Sequence, residues 1–274
     1  MNWALWRKAV LDARLQLAVS GLLLLLFAWV FVWFSSLFKV GAWSALLKFM
    51  PDFFQSMLGV PVAKLATPAG QVSVLYVHAI TQLVCVAWAV GRGSDSISGE
   101  IGRGTMDLIL SLPVRRVSVM IAPAVVATVG AAVLVASVWV GTAIGLLTVD
   151  LGGRADAAEF LPGAINLFCM TFFLTGVTTL VSSFSRDRWR TIFTVLGFFV
   201  VSFILKMIAR VWRQGWWLNY LTFLSLYRPQ ELILMRETSG TAALRYNLTL
   251  VGLGLVGYAA AGVILARRDI PAAR

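Results

Sequence analysis

The chain has 274 residues, 59% of them hydrophobic and 13% charged, and its mean hydropathy is +0.86. Soluble domains carry roughly 45–50% apolar and about 25% charged residues, so soluble enzymes, nucleic-acid-binding domains and disulfide scaffolds are excluded as overall classes. The net charge of +11 is read as the Lys and Arg excess that loops carry beside anionic headgroups, and no nucleic-acid partner is expected.

The charges are clustered. None occurs between Arg14 and Lys39, Lys64 and Arg92, Arg116 and Asp150, Glu159 and Arg186, or Arg245 and Arg267. Each gap reaches the roughly 20 residues a helix needs to cross a hydrocarbon core about 30 Å thick. The expected fold is an all-α polytopic membrane protein with six transmembrane helices, forming one transmembrane domain over residues 1–274.

In chain order, residues 1–14 mix Trp3, Leu5, Trp6 and Val10 with Arg7, Lys8, Asp12 and Arg14, the pattern of an amphipathic helix lying in the interface. The first span follows over Leu15–Phe38, too long for the apolar core of a cleaved signal peptide. Residues Lys39–Gly70 form a loop whose segment Ala42–Leu58 is a candidate interfacial helix interrupted at Pro51. The remaining spans are placed at Gln71–Val90, Val117–Thr148, Phe160–Phe184, from Arg190 to Leu205, and Tyr246–Ala266. Cys85 and Cys169 lie in apolar runs without a metal or disulfide spacing and are taken as structural thiols.

Orientation follows from basic residues in alternate loops. With the N-terminus inside, thirteen Lys and Arg fall inside and ten outside, and the inside turn Arg186–Arg190 packs three arginines into five positions. Both termini are therefore expected in the cytoplasm.

Residues 94–116, between spans two and three, read SDSISGEIGRGTMDLILSLPVRR. Ile97, Ile101, Leu108 and Ile109 form an apolar stripe beside Glu100, Arg103 and Asp107. Glu100–Arg103 and Arg103–Asp107 are spaced to meet on a helix surface. Ser94, Asp95 or Ser96 is a candidate cap, and Gly99, Gly102 and Gly104 permit a bend or a close backbone approach. This spacing fits a solvated interfacial helix and a protruding contact element equally well.

The run from Ile97 to Arg116 resembles the cytoplasmic loop of ABC-2 type transporter permeases, whose pattern is roughly I-x-G-E-x-x-x-G-T-x-E-x-L-L-x-L-P-V-x-R. Ile97, Gly99, Glu100, Gly104, Thr105, Leu110, Leu112, Pro113, Val114 and Arg116 meet it without a gap, and Asp107 holds the acidic position. Gly102 departs from it, standing where the family usually has a charge, and Pro123 stands near a position often held by lysine. The amphipathic N-terminus, the arginine-rich turn and the closing LARRDIP run are similar more loosely. The resemblance implies a coupling helix seated in a cleft of a separate ATPase, with Ile97, Glu100, Ile101, Arg103, Gly104, Thr105, Asp107 and Leu108 making the contact.

It further implies a non-catalytic permease subunit of an ATP-binding-cassette transporter in a prokaryotic inner membrane, with export as the expected direction. Two cytoplasmic ATPase copies, a second permease copy forming a homodimer, and membrane lipid would be its partners. ATP and Mg would sit on the ATPase, with no cofactor on this chain, which lacks a G-x-x-x-x-G-K-[ST] phosphate loop. The alternative is a mechanotransmitting subunit that relays ATPase motion to a periplasmic partner without passing solute.

Outside the loop, His78 is the single histidine and lies within the second span, where it either serves helix packing or lines a substrate path. Lys206, Arg210 and Arg213 are spaced to share one helical face just beyond the fifth span, as headgroup anchors or as an anion-attracting vestibule. Residues 206–245 form the outer loop, in which Leu218–Leu226 is too short to span and is expected to be re-entrant or flat. Small residues in spans three and six, among them Gly130, Gly141, Gly145, Gly254 and Gly257, are expected to pack helices within the chain or between two copies.

Overall fold

The computed structural model describes residues 3–37, 49, 60–106, 116–153, 155–235 and 240–267, and among them every regular element is helical. The α-helices are α1 (Trp3–Ser36), α2 (Val62–Leu65), α3 (Pro68–Val77), α4 (Ala79–Ser94), α5 (Glu100–Gly102), α6 (Arg116–Thr148), α7 (Leu161–Phe184), α8 (Arg188–Val211), α9 (Pro229–Leu234) and α10 (Gly240–Arg267). Six stretches are long and apolar enough to cross a membrane: α1, the broken run Pro68–Gly102, Val117–Thr148, Ala157–Phe184, α8 and α10. This is the expected all-α, six-span architecture.

Several boundaries differ from the sequence expectation. Residues 3–14 are not a separate interfacial helix; α1 runs unbroken for 34 residues, about 51 Å at 1.5 Å per residue. Ala4, Leu5, Ala9, Leu11, Ala13 and Leu15 favour helix, and no Gly or Pro intervenes before Gly21. Its first turns therefore stand beyond the roughly 30 Å hydrocarbon core. The segment Ala42–Leu58 lies outside the described residues, apart from Phe49. The fifth span continues past Leu205 to Val211, so Lys206 and Arg210 lie on α8 itself.

The bundle is organised round α7. Its hydroxyls would be costly in an apolar surround, and Thr171, Thr175, Thr178 and Thr179 each donate to the carbonyl four residues back at 2.6–2.8 Å. On one side α7 meets α10 backbone to backbone. A Cβ at Gly176 would lie 2.4 Å from the Gly254 carbonyl oxygen, and one at Gly257 would lie 2.9 Å from Gly176. The α1–α6 contact is made the same way, with Gly141 against Leu25 and Ala28, and Gly145 against Val32. Trp88 of α4 is fully buried, lies over Gly130, and donates its indole N–H to the Ala127 carbonyl at 2.9 Å. These small residues are consumed by packing within the chain. By contrast, α1 and α8 turn wide apolar faces outward, including Leu22, Trp33, Phe193 and Val201.

Span two is broken where α3 ends and α4 begins. His78 adopts extended backbone (φ −64°, ψ 141°) and its Nδ1 accepts the Ile80 N–H at 3.2 Å. Freed carbonyls find side-chain donors: Gln82 Nε2 bonds Val77 at 2.7 Å, and the buried Tyr227 hydroxyl bonds Tyr76. Irregular backbone inside a membrane bundle survives only when its polar groups are satisfied in this way.

Candidate functional site at the basic end of the bundle

The turn after α4 is built from the residues that drew attention in the sequence. Ser94, Asp95 and Ser96 do not cap a new helix, because α4 runs directly into a π-helical turn over Asp95–Gly99 and on into α5. The hydroxyls of Ser94 and Ser96 instead donate backward, to Gly91 at 3.1 Å and Gly93 at 2.7 Å. Gly99 gives room for Asp95, whose Oδ1 would lie 2.6 Å from a Cβ there.

The turn closes at Gly104, which has φ +70°, a conformation that favours glycine. Gly104 N–H bonds the Ile101 carbonyl at 3.0 Å and Thr105 N–H bonds the Glu100 carbonyl at 3.1 Å. Together these are the paired bonds of a Schellman stop. The Thr105 hydroxyl also donates to the Glu100 carboxylate at 2.6 Å. Three positions of the sequence motif thus have separate physical jobs: Gly104 reverses the chain, Thr105 clasps Glu100, and Glu100 collects cations.

Glu100 is 5% exposed, and its carboxylate accepts from Lys8 of α1 and from Arg103 at 2.6 Å. Arg103 also reaches Asp95 at 2.7 Å. Asp95 in turn pairs with Arg92 at 3.0 Å and with Arg188, at the start of α8, at 3.5 Å. Arg92 donates to the Asp12 carbonyl at 2.9 Å, and Lys8 pairs with Asp12 at 3.3 Å. Beneath this layer Ser98 donates its N–H to Ser182 at 2.8 Å and lies 3.0 Å from the Thr191 hydroxyl. The turn is therefore fastened to α1, α7 and α8, and the cleft left between it, α1 and α6 is only about 30 Å³. Burial would lower the pKa of the Arg103 guanidinium, but the carboxylates of Asp95 and Glu100 outweigh it and raise the pKa above the usual arginine value.

The anticipated contact residues separate into two groups. Ile97 is fully buried in a cluster with Met106, Val119, Met120, Ala261 and Leu265, against which Ile101 also packs. That half of the apolar stripe seats the turn on α6 and α10. Gly102 and Arg103 are exposed, and Gly104 and Thr105 are half-buried. Asp107 and Leu108 lie outside the described residues. Of the spaced charge pairs, Glu100–Arg103 forms, and the second partner of Arg103 is Asp95. Sequence reading missed Lys8, Asp12, Arg92 and Arg188 as members of one network. The only trace they left is charge clustering at the ends of different spans.

The other predicted positions do not converge with this network. The His78 ring lies 5.1 Å from Phe27 and 5.6 Å from Phe31. Lys206 donates to the Tyr227 carbonyl at 3.0 Å and lies over the Tyr227 ring. The shared helical face of Lys206, Arg210 and Arg213 does not form: α8 ends at Val211, Trp212 leaves helical geometry (φ −92°, ψ 101°), and Arg213 opens a 3₁₀ stretch. Of the segment Leu218–Leu226, Phe223 packs into the bundle against Phe173 of α7 and Phe198 and Phe199 of α8.

Six apolar helices, threonine hydroxyls of α7 satisfied within their own helix, and a polar turn anchored at one end define a multi-pass helical membrane protein. Residues 3–270 match the family described as ABC-2 family transporter protein, and the chain belongs to that family. It is thus a transmembrane permease subunit, of a kind that works in general with a partner ATPase. No individual curated protein matches the chain.

Proposed function

We propose that this chain is the membrane half of an ATP-driven exporter, moved by a separate cytoplasmic ATPase that docks on the turn containing Gly102, Arg103, Gly104 and Thr105. One observation carries the reading: Arg103 combines an exposed flank with bonds to Asp95 and Glu100, which lead on to α8 and α1. A push on this turn would move three spans together, because charge-assisted bonds and a packed apolar seat leave it little local slack. Ile97 and Ile101 hold the lever in place, Glu100 and Thr105 set its shape, and Arg103 meets the motor with Asp107 and Leu108 following.

In this scheme the basic end faces the cytoplasm, both termini are inside, and the membrane is the prokaryotic inner membrane. Two copies of the chain pair with two ATPases, which carry the ATP and Mg. A mechanotransmitting role draws on a different feature. Trp216, Trp217 and Tyr220 are exposed on the 3₁₀ segment at the opposite end, and Tyr227 from the same connection is bonded into the span-two break. An outside partner seated there would have a path into the bundle.

The test is affinity purification of the chain in mild detergent with identification of co-purifying proteins. An ATPase is expected, and its recovery should fall with Arg103→Glu while the amount of permease holds. Purification without any ATPase would refute the reading. A stoichiometric third protein that binds the Trp216–Tyr220 region would favour mechanotransmission.

A further inference from the structure

Between α1 and α6 runs an open groove of about 740 Å³ with almost wholly apolar walls. Its floor is formed by Gly21, Ala18 and Gly130, which carry little or no side chain, and its flanks by Leu22, Val129 and Val133. The groove has one cation, Arg14, and an indole, Trp6, at its basic end. Arg14 is exposed and forms no ion pair or hydrogen bond among the described residues. It is also the last charged residue before the uncharged run that reaches Lys39, so it marks where α1 enters hydrocarbon.

From Arg14 to Leu25, at the deep end of the groove, α1 rises about 16 Å at 1.5 Å per residue. Half of a hydrocarbon core about 30 Å thick is about 15 Å. The apolar trough below the arginine is therefore one leaflet deep. A second helix of another copy would need no cation at this depth, and a polar solute would find only the Ser137 hydroxyl, already bonded to the Val133 carbonyl, along the walls.

We propose that this groove is a binding site for one anionic phospholipid, with an acyl chain lying along Gly21 and Val129 and the phosphate held by Arg14. Charge complementarity selects the headgroup, and the match of trough length to leaflet depth selects a membrane lipid over a soluble anion. The assignment to the cytoplasmic leaflet rests on the orientation proposed above; the site itself does not. Seated there, the lipid bridges the helix that carries Lys8 to the helix that receives Ile97, so it adds to the stiffness of the same end of the bundle.

The experiment is native mass spectrometry of the purified permease in detergent, titrated separately with phosphatidylglycerol and phosphatidylcholine. Phosphatidylglycerol should be retained preferentially, and Arg14→Ala should reduce that preference about fivefold, the effect of one basic residue near an anionic surface. Val129→Trp, at a 57% exposed position, fills the trough and should abolish retention of both lipids at unchanged yield of folded permease. Equal retention of the two lipids, or retention surviving Val129→Trp, would overturn the site. So would loss of the dimer with Val129→Trp, which would assign the groove to a second copy. Recovery of the ATPase is read separately, so the lipid site and the proposed function fail independently.

Discussion

Glu100 and Lys8 are ninety-two positions apart, yet the carboxylate of the first accepts a hydrogen bond from the ammonium of the second. This pair joins the turn after span two to the projecting start of span one. It works as a joint because the two ends differ: the Glu100 side chain is 7% exposed and fixed by Thr105, whereas Lys8 is 43% exposed and long.

Loss of the joint has a measurable cost. Glu100→Gln keeps the shape but removes the charge that Lys8 and Arg103 share. Hydrogen bonds to charged groups contribute about 1.5–3 kcal/mol, and exposure of both cations screens this toward about 1–2 kcal/mol. The variant should melt a few degrees lower in detergent. Glu100→Lys places a third cation there and should release or uncouple the ATPase, as read by co-purification and ATP hydrolysis in liposomes.

Arg103→Ala separates stability from coupling. Asp95 keeps Arg92 and Arg188, and Glu100 keeps Lys8 and Thr105, so the thermal effect should stay near 1 kcal/mol or below. Coupled ATPase activity should fall by a much larger factor. Equal, small effects on both would remove Arg103 from the docking surface.

Orientation is testable by cysteine accessibility, and the structure selects the position. Ser98 is fully buried and is a poor reporter, whereas Arg103→Cys presents an exposed thiol. Cys85 and Cys169 are buried, which keeps the background low. A membrane-impermeant maleimide should label Arg103→Cys in inverted vesicles and not in intact spheroplasts. The opposite pattern would put the turn outside and end the ATPase-docking reading.

The break in span two separates two roles for His78. His78→Ala leaves the Ile80 N–H without its cap and should cost about 0.5–2 kcal/mol, whereas His78→Asn supplies a new capping oxygen and should restore most of that. Recovery of stability and of coupled ATPase activity with Asn identifies a structural cap. Recovery of stability alone would assign the imidazole to the substrate path. Tyr227→Phe should cost about 1–3 kcal/mol through the unpaired Tyr76 carbonyl.

Helix contact through glycine gives the sharpest contrast. Gly176→Ala drives a methyl to 2.4 Å from the Gly254 carbonyl oxygen, whereas a Cβ at Gly252 meets nothing within 4 Å. The first should destabilise the fold by about 1–3 kcal/mol. The second should be neutral or stabilising by up to about 1 kcal/mol, since alanine is the better helix former. Thermal melts of the two variants check both.

The sequence by itself determined that this chain is a bundle of six helices, because hydrocarbon tolerates neither scattered charge nor unpaired backbone over twenty residues. It also marked Gly99, Glu100, Gly104 and Thr105, since a left-handed turn and the carboxylate it positions are local features. Tertiary structure alone decided the rest. Ile97 and Arg103 both belong to the turn, but only packing shows that one faces α10 and the other faces out. The pairing of Lys8 with Glu100 and the seat of Tyr227 on span two join residues far apart in sequence. The end of α8 before Arg213 was also hidden, because spacing states which face a residue would occupy and not where the helix stops. Periodicity constrains neighbours along one helix; which helices then meet is set by close packing, to which sequence spacing is blind.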